Sequence, residues 1–385
     1  MNKKLVWLSA VIVILLLFLG GWWFFRASSP FQSQKPISFK LGWHGPVAGG
    51  MDKAIQAYQQ ELISRHEDAE ISITKLLDGT LGELSEVVDQ TRSGQAYLTF
   101  VTMEEAARFS PKAAVLTTPL LIGNEESLNQ LMASPASEML IQEFEEKSGL
   151  KVLGWISAPP KILWVGDERK APEGLAGLKI AMRGAGYRDL AWQQRGVLAQ
   201  KLPQGMWRSE AQRGALNGVE ETSEWVGSTG LYWHYPQRVV LPGVQPMFFT
   251  MNREVYESLS DKQKQALTES TKVWQSQYWN GETIDKINFD LISKQANLHT
   301  FTGLAKDFSS LATTVIGQLS KEQQEYLQTV REAVGRFLYE GEAPPQPVVA
   351  PLTPAESPTV SPSNAEKVPI TPAVPTSTGQ PPKKL

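Results

Sequence analysis

Two arginines flank a glycine-bearing turn in Leu178–Gly196, LKIAMRGAGYRDLAWQQRG. Leu178 and Ile180 alternate with Lys179, the period-2 pattern of a strand. Gly184 and Gly186 permit the sharp turn that follows, because glycine reaches positive φ without a Cβ clash. The spacing predicts a strand, a turn and a helix, with Arg183 where the strand runs out and Arg188 about one helical turn later. A guanidinium offers parallel N–H donors that match two carboxylate oxygens, which is the chemistry of gripping an anion.

Catalytic constellations do not accompany it. His44, His66, His234 and His299 are scattered, with no H-E-x-x-H, no Walker A sequence and no G-x-S-x-G elbow. Gly184-Ala185-Gly186 begins like a dinucleotide fingerprint, but Asp189 stands where the third glycine belongs. Glu220 and Glu221 are adjacent carboxylates, whereas glycosidase acids must face each other across about 5–10 Å. The chain has no cysteine, which excludes thiol catalysis and Cys-type zinc sites and suits an exported protein without disulfides. A net charge of −3 without a basic run argues against nucleic acid. Binding is therefore expected, not catalysis, and no organic cofactor.

The elements that would position these residues alternate. Ile37–Trp43 (ISFKLGW) reads as a strand followed by a loop through His44 and Gly45. Met51–Ser64 carries Ile55, Tyr58 and Leu62 at helical spacing. Further strands are expected at Ile71–Leu76, at YLTFVT, and on either side of Pro159-Pro160 in LKVLGWISAPPKILWVG. A helix closed by Gly94 lies between two of them, and AAVLTTPLL leads into a loop. This alternation predicts parallel βαβ units, hence an α/β fold. Ser260 to about Gln295 reads as a long helix with Ser260 as its N-cap and Gly281 as a point where it breaks, long enough to bridge two lobes.

Both ends differ from the middle of the 385-residue chain. Residues 5–25 form an uncharged apolar run behind Lys3 and Lys4, long enough to span a hydrocarbon core of about 30 Å. It exceeds the usual signal-peptide core and lacks a clean A-x-A site, so an uncleaved inner-membrane anchor is expected, with a cleaved secretory signal as the alternative. From Glu342 the chain is rich in Pro, Ser and Thr without aromatics, the composition of an extended, unstructured tail. The expected divisions are an anchor and linker over 1–36, a folded region over 37–341, and a Pro-rich tail over 342–385.

The order of motifs in that folded region resembles the DctP family, the solute-binding proteins of tripartite ATP-independent periplasmic (TRAP) transporters. GLAGLKIAMRGAGYRDLAWQQRG is similar to the family's L-K-G-L-K-(hydrophobic)-R strand and helix. Glu210 to Glu224, with Ala215, Leu216, Gly218 and Glu221, follows its E-x-x-x-A-L-x-x-G segment, and Asn252, Tyr256 and Leu259 follow its N-K-x-x-(W/F)-x-x-L pattern. LLDGTLGELSEVVDQTRSGQAYLTFVT is similar to the first-lobe stretch. The resemblance covers about 37–340. It implies two α/β lobes joined by crossing strands and a long hinge helix, closing around a small carboxylate, possession of a membrane permease partner, and a periplasmic location. The lobes would comprise about 37–155 with part of 255–341, and about 156–254.

In the family the arginine of the L-K-x-R strand bridges the substrate carboxylate; counted without gaps, that place holds Ala181 here. Arg183 lies two residues on, the same strand face and about 6–7 Å further along. The expectation is that Arg183 takes the anion role, with Arg188 as second cation; the alternative is that both are surface cations and the ligand has been lost or changed. Glu224-Trp225-Val226-Gly227 is similar to the keto-acid branch of the family, which makes Trp225 and Glu224 ligand-site candidates and Glu224 a cation ligand through hard oxygen chemistry. Trp43 and His44, after the first strand, complete the set, with His44 as a hydrogen-bond donor. A competing function is a membrane-anchored protein of this fold serving as sensor or scaffold.

Overall fold

The computed structural model describes residues 37–166, 174–183, 186–241, 243–277, 279–301 and 311–335. The apolar N-terminal run and the Pro-rich tail lie outside them. Among the described residues no helix is long and apolar enough to cross a membrane.

Two sheets organise the chain, one per lobe. The first has the order β2-β1-β3-β10-β4, from β1 (Ile37–Gly42), β2 (Ile71–Leu76), β3 (Leu98–Thr102), β4 (Leu150–Ser157) and β10 (Pro246–Asn252). The second has the order β11-β9-β5-β8-β6-β7, from β5 (Ile162–Val165), β6 (Lys179–Ala181), β7 (Leu198–Gln200), β8 (Gly218–Glu221), β9 (Gln237–Val239) and β11 (His299–Phe301). Parallel pairing joins β1 to β2 and β3, and β6 to β7 and β8. The expectation of parallel units alone needs correction, because β10 runs antiparallel to both β3 and β4, and β5 antiparallel to β8 and β9. β10 falls within the stretch expected for the second lobe, yet it pairs inside the first sheet. β11 lies in 255–341, a stretch of which only part was expected in the first lobe, and it extends the second sheet.

The pattern behind β10 explains its place. All seven of its residues, PMFFTMN, are buried, as suits a strand with neighbours on both sides and cover on both faces. One face of the first sheet packs Phe39, Leu41, Phe100 and Phe249 against Tyr58 and Trp274, from the helices Gly50–His66 and Asp261–Gln277. The second lobe packs Trp164 of β5 with Trp207, Val219 and Val226. A third apolar cluster runs behind both sheets, including Val101, Phe248, Leu163 and Ile180, beneath the helices Pro135–Ser148 and Lys321–Val334. The tryptophans 155, 164, 192 and 207 are all buried in these cores.

The long helical stretch divides where the sequence suggests. One helix spans Asp261–Gln277 and the next Gly281–Ser293, where Asn280 caps by accepting from Thr283 N at 2.7 Å. Gly281 approaches the crossing segment after β4 so closely that a Cβ would lie 2.5 Å from Ala158 O. AAVLTTPLL, expected to lead into a loop, begins within a short helix, Pro111–Val115, whose proline occupies the first turn.

Candidate functional site

The C-terminal ends of parallel strands β1 and β3 face those of β6 and β8 across one crevice. This is where open α/β sheets bind ligands, because loops there diverge and helix N-termini converge. Its lining includes Trp43 and His44 after β1, Thr102 at the end of β3, Glu104 in the short helix Met103–Ala106 that follows, Lys161 on the crossing segment, Arg183 after β6, and Thr222 and Glu224 after β8. The side chains leave a cavity of about 20 Å³, room for about one water molecule.

Local sequence accounts for the placement on the second lobe. β8 ends at Glu221; Thr222 accepts from Trp225 N at 3.3 Å and so starts the helix Ser223–Thr229, which Gly230 ends in the left-handed conformation at φ 71°. Glu224 thus sits in the first turn of a helix that begins at the crevice. Its carboxylate accepts Trp43 Nε1 at 3.1 Å on one oxygen and Met51 N at 3.1 Å on the other. Burial pushes its carboxyl up to about 7, aided by Asp52 and Glu221 nearby and opposed by those two hydrogen bonds.

Each cation at the crevice has a carboxylate of its own. Arg183 Nε lies 2.5 Å from Glu221 Oε2 without the alignment of a hydrogen bond. Glu221 is fully buried and also accepts Gln204 Nε2 at 3.0 Å and Thr222 N at 2.9 Å. Burial opposes the charge on Arg183, but Glu221, with Glu104 and Glu105, raises its pKa further. Lys161 donates to Glu104 Oε1 at 2.7 Å, and both are buried. Arg188 donates to Glu220 Oε1 at 2.9 Å and to Lys161 O at 2.6 Å, on the side where a second small cavity opens between Arg188, Glu125 and Glu282.

The structure therefore brings Trp43, His44, Arg183 and Glu224 to one cavity and sets two candidates apart. Trp225 turns into the second-lobe core, its ring edge-on to Trp207 at 5.1 Å between centroids. Arg188 lines the neighbouring cavity. His44 stands between cations: burial lowers its pKa well below the usual range, with Arg183 and Lys161 adding to this, so the ring is neutral. Its Nδ1 is buried with no hydrogen-bond partner in the described residues. Ala181, at the family's arginine position, is wholly buried in β6 between β7 and β8. No group of three or more acidic or histidine side chains among the described residues is arranged to hold a metal ion, so Glu224 stands without companion ligands. Sequence reasoning missed Lys161 and Glu104. The signal for Lys161 was one charge inside the otherwise apolar APPKILWV, where only a partnered ammonium would be tolerated.

Residues 51–303 match the family described as "Bacterial extracellular solute-binding protein, family 7", DctP. The chain belongs to the DctP family. A curated relative, a solute-binding protein of Chromohalobacter salexigens, is 22% identical over 238 residues, 60% of this chain and 69% of the relative. Among solved structures, the sugar acid binding protein DctPAm of Advenella mimigardefordensis, in complex with galactonate, superposes with a TM-score of 0.68 at 15% identity, covering 78% of this chain and 99% of that one. A TRAP periplasmic solute-binding protein of Chromohalobacter salexigens with bound D-glucuronate gives 0.68 at 18% identity, covering 77% and 99%. The periplasmic ectoine-binding protein of Halomonas elongata gives 0.66 at 17%, covering 77% and 99%. At these identities the likeness establishes the two-lobed fold.

Proposed function

We propose that this DctP-family chain is an extracytoplasmic solute-binding protein of a TRAP transporter, taking a small organic acid between its lobes and delivering it to a membrane permease. The observation that carries the reading is Arg183 beside Lys161 in the lining of the interlobe cavity. A carboxylate entering there would share the guanidinium with Glu221 in a site shielded from water. The solved relatives lend support: their ligands include galactonate, D-glucuronate and ectoine, all carboxylates. The N-terminal apolar run would direct the chain to the periplasm and tether it to the inner membrane, and mass spectrometry of the mature N-terminus distinguishes tethering from cleavage.

Thermal unfolding of the full chain against galactonate, glucuronate, pantoate and ectoine tests the reading. A ligand at about 100 times its dissociation constant adds about 2.7 kcal/mol. Arg183→Ala should abolish that gain, measured against the variant's own unliganded transition, which loss of the Glu221 counter-ion lowers; a panel without any stabilising acid would overturn the proposal. One set of observations favours a second reading, a sensor or scaffold of the same fold: Lys161, Arg183 and Arg188 are each matched to an internal carboxylate. TRAP permease genes beside the coding sequence would favour transport over that role.

A further inference from the structure

The first-lobe helix Gly50–His66 begins at a glycine N-cap, Gly49, which has no side chain with which to cap. The first amides of a helix point outward without intrahelical partners, and the helix dipole favours negative charge beside them. Here those amides are served by distant parts of the chain. Gly50 N donates to Asn288 Oδ1 at 3.0 Å, and Met51 N donates to Glu224 Oε1 at 3.1 Å. Trp43 Nε1, from the loop after β1, reaches the other oxygen of the same carboxylate.

The seat is shaped for that carboxylate. A Cβ on Gly49 would lie 2.4 Å from Glu224 Oε1, and one on Gly45 would lie 2.4 Å from Glu224 Oε2. Neither glycine carries a positive φ, so the absence of a side chain serves close approach, not backbone freedom. A tryptophan N–H, a helix-terminal amide and two bare glycine faces together form a receptor for one carboxylate. Its occupant comes from the second lobe. Elsewhere, Glu83 Oε1, at the start of the first-lobe helix Leu84–Arg92, accepts Gly205 N of the second lobe at 2.7 Å, a further bridge between the lobes.

We propose that the N-terminal end of Gly50–His66, with Trp43, Gly45 and Gly49, is a carboxylate receptor, and that Glu224 is its tethered ligand, latching the two lobes together in the place of a solute. A solute acid then competes with an internal carboxylate already presented at high effective concentration. The binding-competent fraction is reduced accordingly, and apparent affinity falls by the same factor: a latch favoured by about 100 to one weakens binding about 100-fold. Closure and solute capture become separable properties.

Because the chain lacks cysteine, Lys53→Cys on the first lobe and Arg208→Cys on the second, both exposed positions, allow spin labels to report the interlobe distance in the full chain. Without added solute, the otherwise unaltered protein should show a short, narrow distance distribution. Glu224→Ala should shift it to longer distances. Gly49→Ala, which fills the first-lobe seat itself, should do the same, and circular dichroism of each variant verifies folding. A long distance in the parent protein, or a short one retained in folded Glu224→Ala and Gly49→Ala, would overturn the latch. The latch itself does not depend on the proposed solute; only the competition does, resting on the acid-binding reading. Should an acid bind, Glu224→Ala should tighten it tenfold or more, and unchanged or weaker binding would refute competition. Should no acid bind any variant, the function reading fails while the distances still decide the latch.

Discussion

Lys161→Met isolates the cost of charge at the crossing between the lobes. Lys161 and Glu104 are 8% and 4% exposed, and their charged atoms are 2.7 Å apart. Methionine keeps the length and apolar stem of lysine but leaves Glu104 without its principal counter-ion. Removing one partner of a buried pair costs about 3–5 kcal/mol, because the remaining charge stays desolvated. Proton linkage gives an independent figure. Burial alone would raise the Glu104 carboxyl, but the charge and hydrogen bond of Lys161, helped by Arg188, hold it down to about 2. Against an ordinary value of about 4.5, that depression is worth about 3 kcal/mol at neutral pH. Since the folded value lies below the unfolded one, this stability is fully present above about pH 4.5 and is lost as pH falls toward 2. Urea unfolding at pH 7 should show the loss in Lys161→Met, and the double variant Lys161→Met/Glu104→Leu should recover most of it. Carbon-detected titration of Glu104 should show its pKa raised in the single variant. A loss below about 1 kcal/mol, or a parent Glu104 titrating at an ordinary value, would refute the assignment of the pair as a buried one.

Other sites give sharper single readings. Burial pushes Glu224 up to about 7, so the folded state holds a proton that the unfolded chain releases near 4.5; stability falls as pH rises between those values, by up to about 3 kcal/mol. Glu224→Gln should flatten that part of the pH–stability curve, as measured by urea unfolding from pH 5 to 8. Asp285→Ala should cost about 3–5 kcal/mol, because it strips the carboxylate from Arg238, which is buried and stacked on Phe289 with 3.9 Å to the ring centroid. Gly186→Ala should destabilise by about 1–3 kcal/mol and disturb the contact at Tyr187 N, since Gly186 has φ 126° and a Cβ would lie 2.2 Å from Thr117 Oγ1. A thermal transition unchanged in Gly186→Ala would contradict that strain.

Legibility in the sequence followed the range of the interactions. The strand at Lys179–Ala181 and the helix from Arg188 could be read because alternation and turn glycines act within a few residues. The break before Gly281 was legible for the same reason, as glycine follows an asparagine suited to capping. Which strands pair was not: β10 finds its neighbours as a wholly buried, mostly apolar strand, and such a run carries no record of direction or order. The charges at the crevice were equally opaque. Arg183 reads as an available cation until Glu221, 38 positions away, is placed beside it, and the pairing of Lys161 with Glu104 spans 57 positions. Glu224 could be nominated from its neighbours in sequence, but the amide it caps lies 173 positions earlier.

The placement of β10 between β3 and β4 has a consequence for how the chain is made. A nascent chain that has emerged only as far as residue 245 carries both flanking strands with nothing to insert between them, so the first sheet waits for one of the last strands to be synthesised. Until then two apolar strand edges remain unsatisfied, the condition that invites association with other chains. The risk therefore spans the synthesis of residues 158 to 245, while β3 and β4 wait for the strand that joins them.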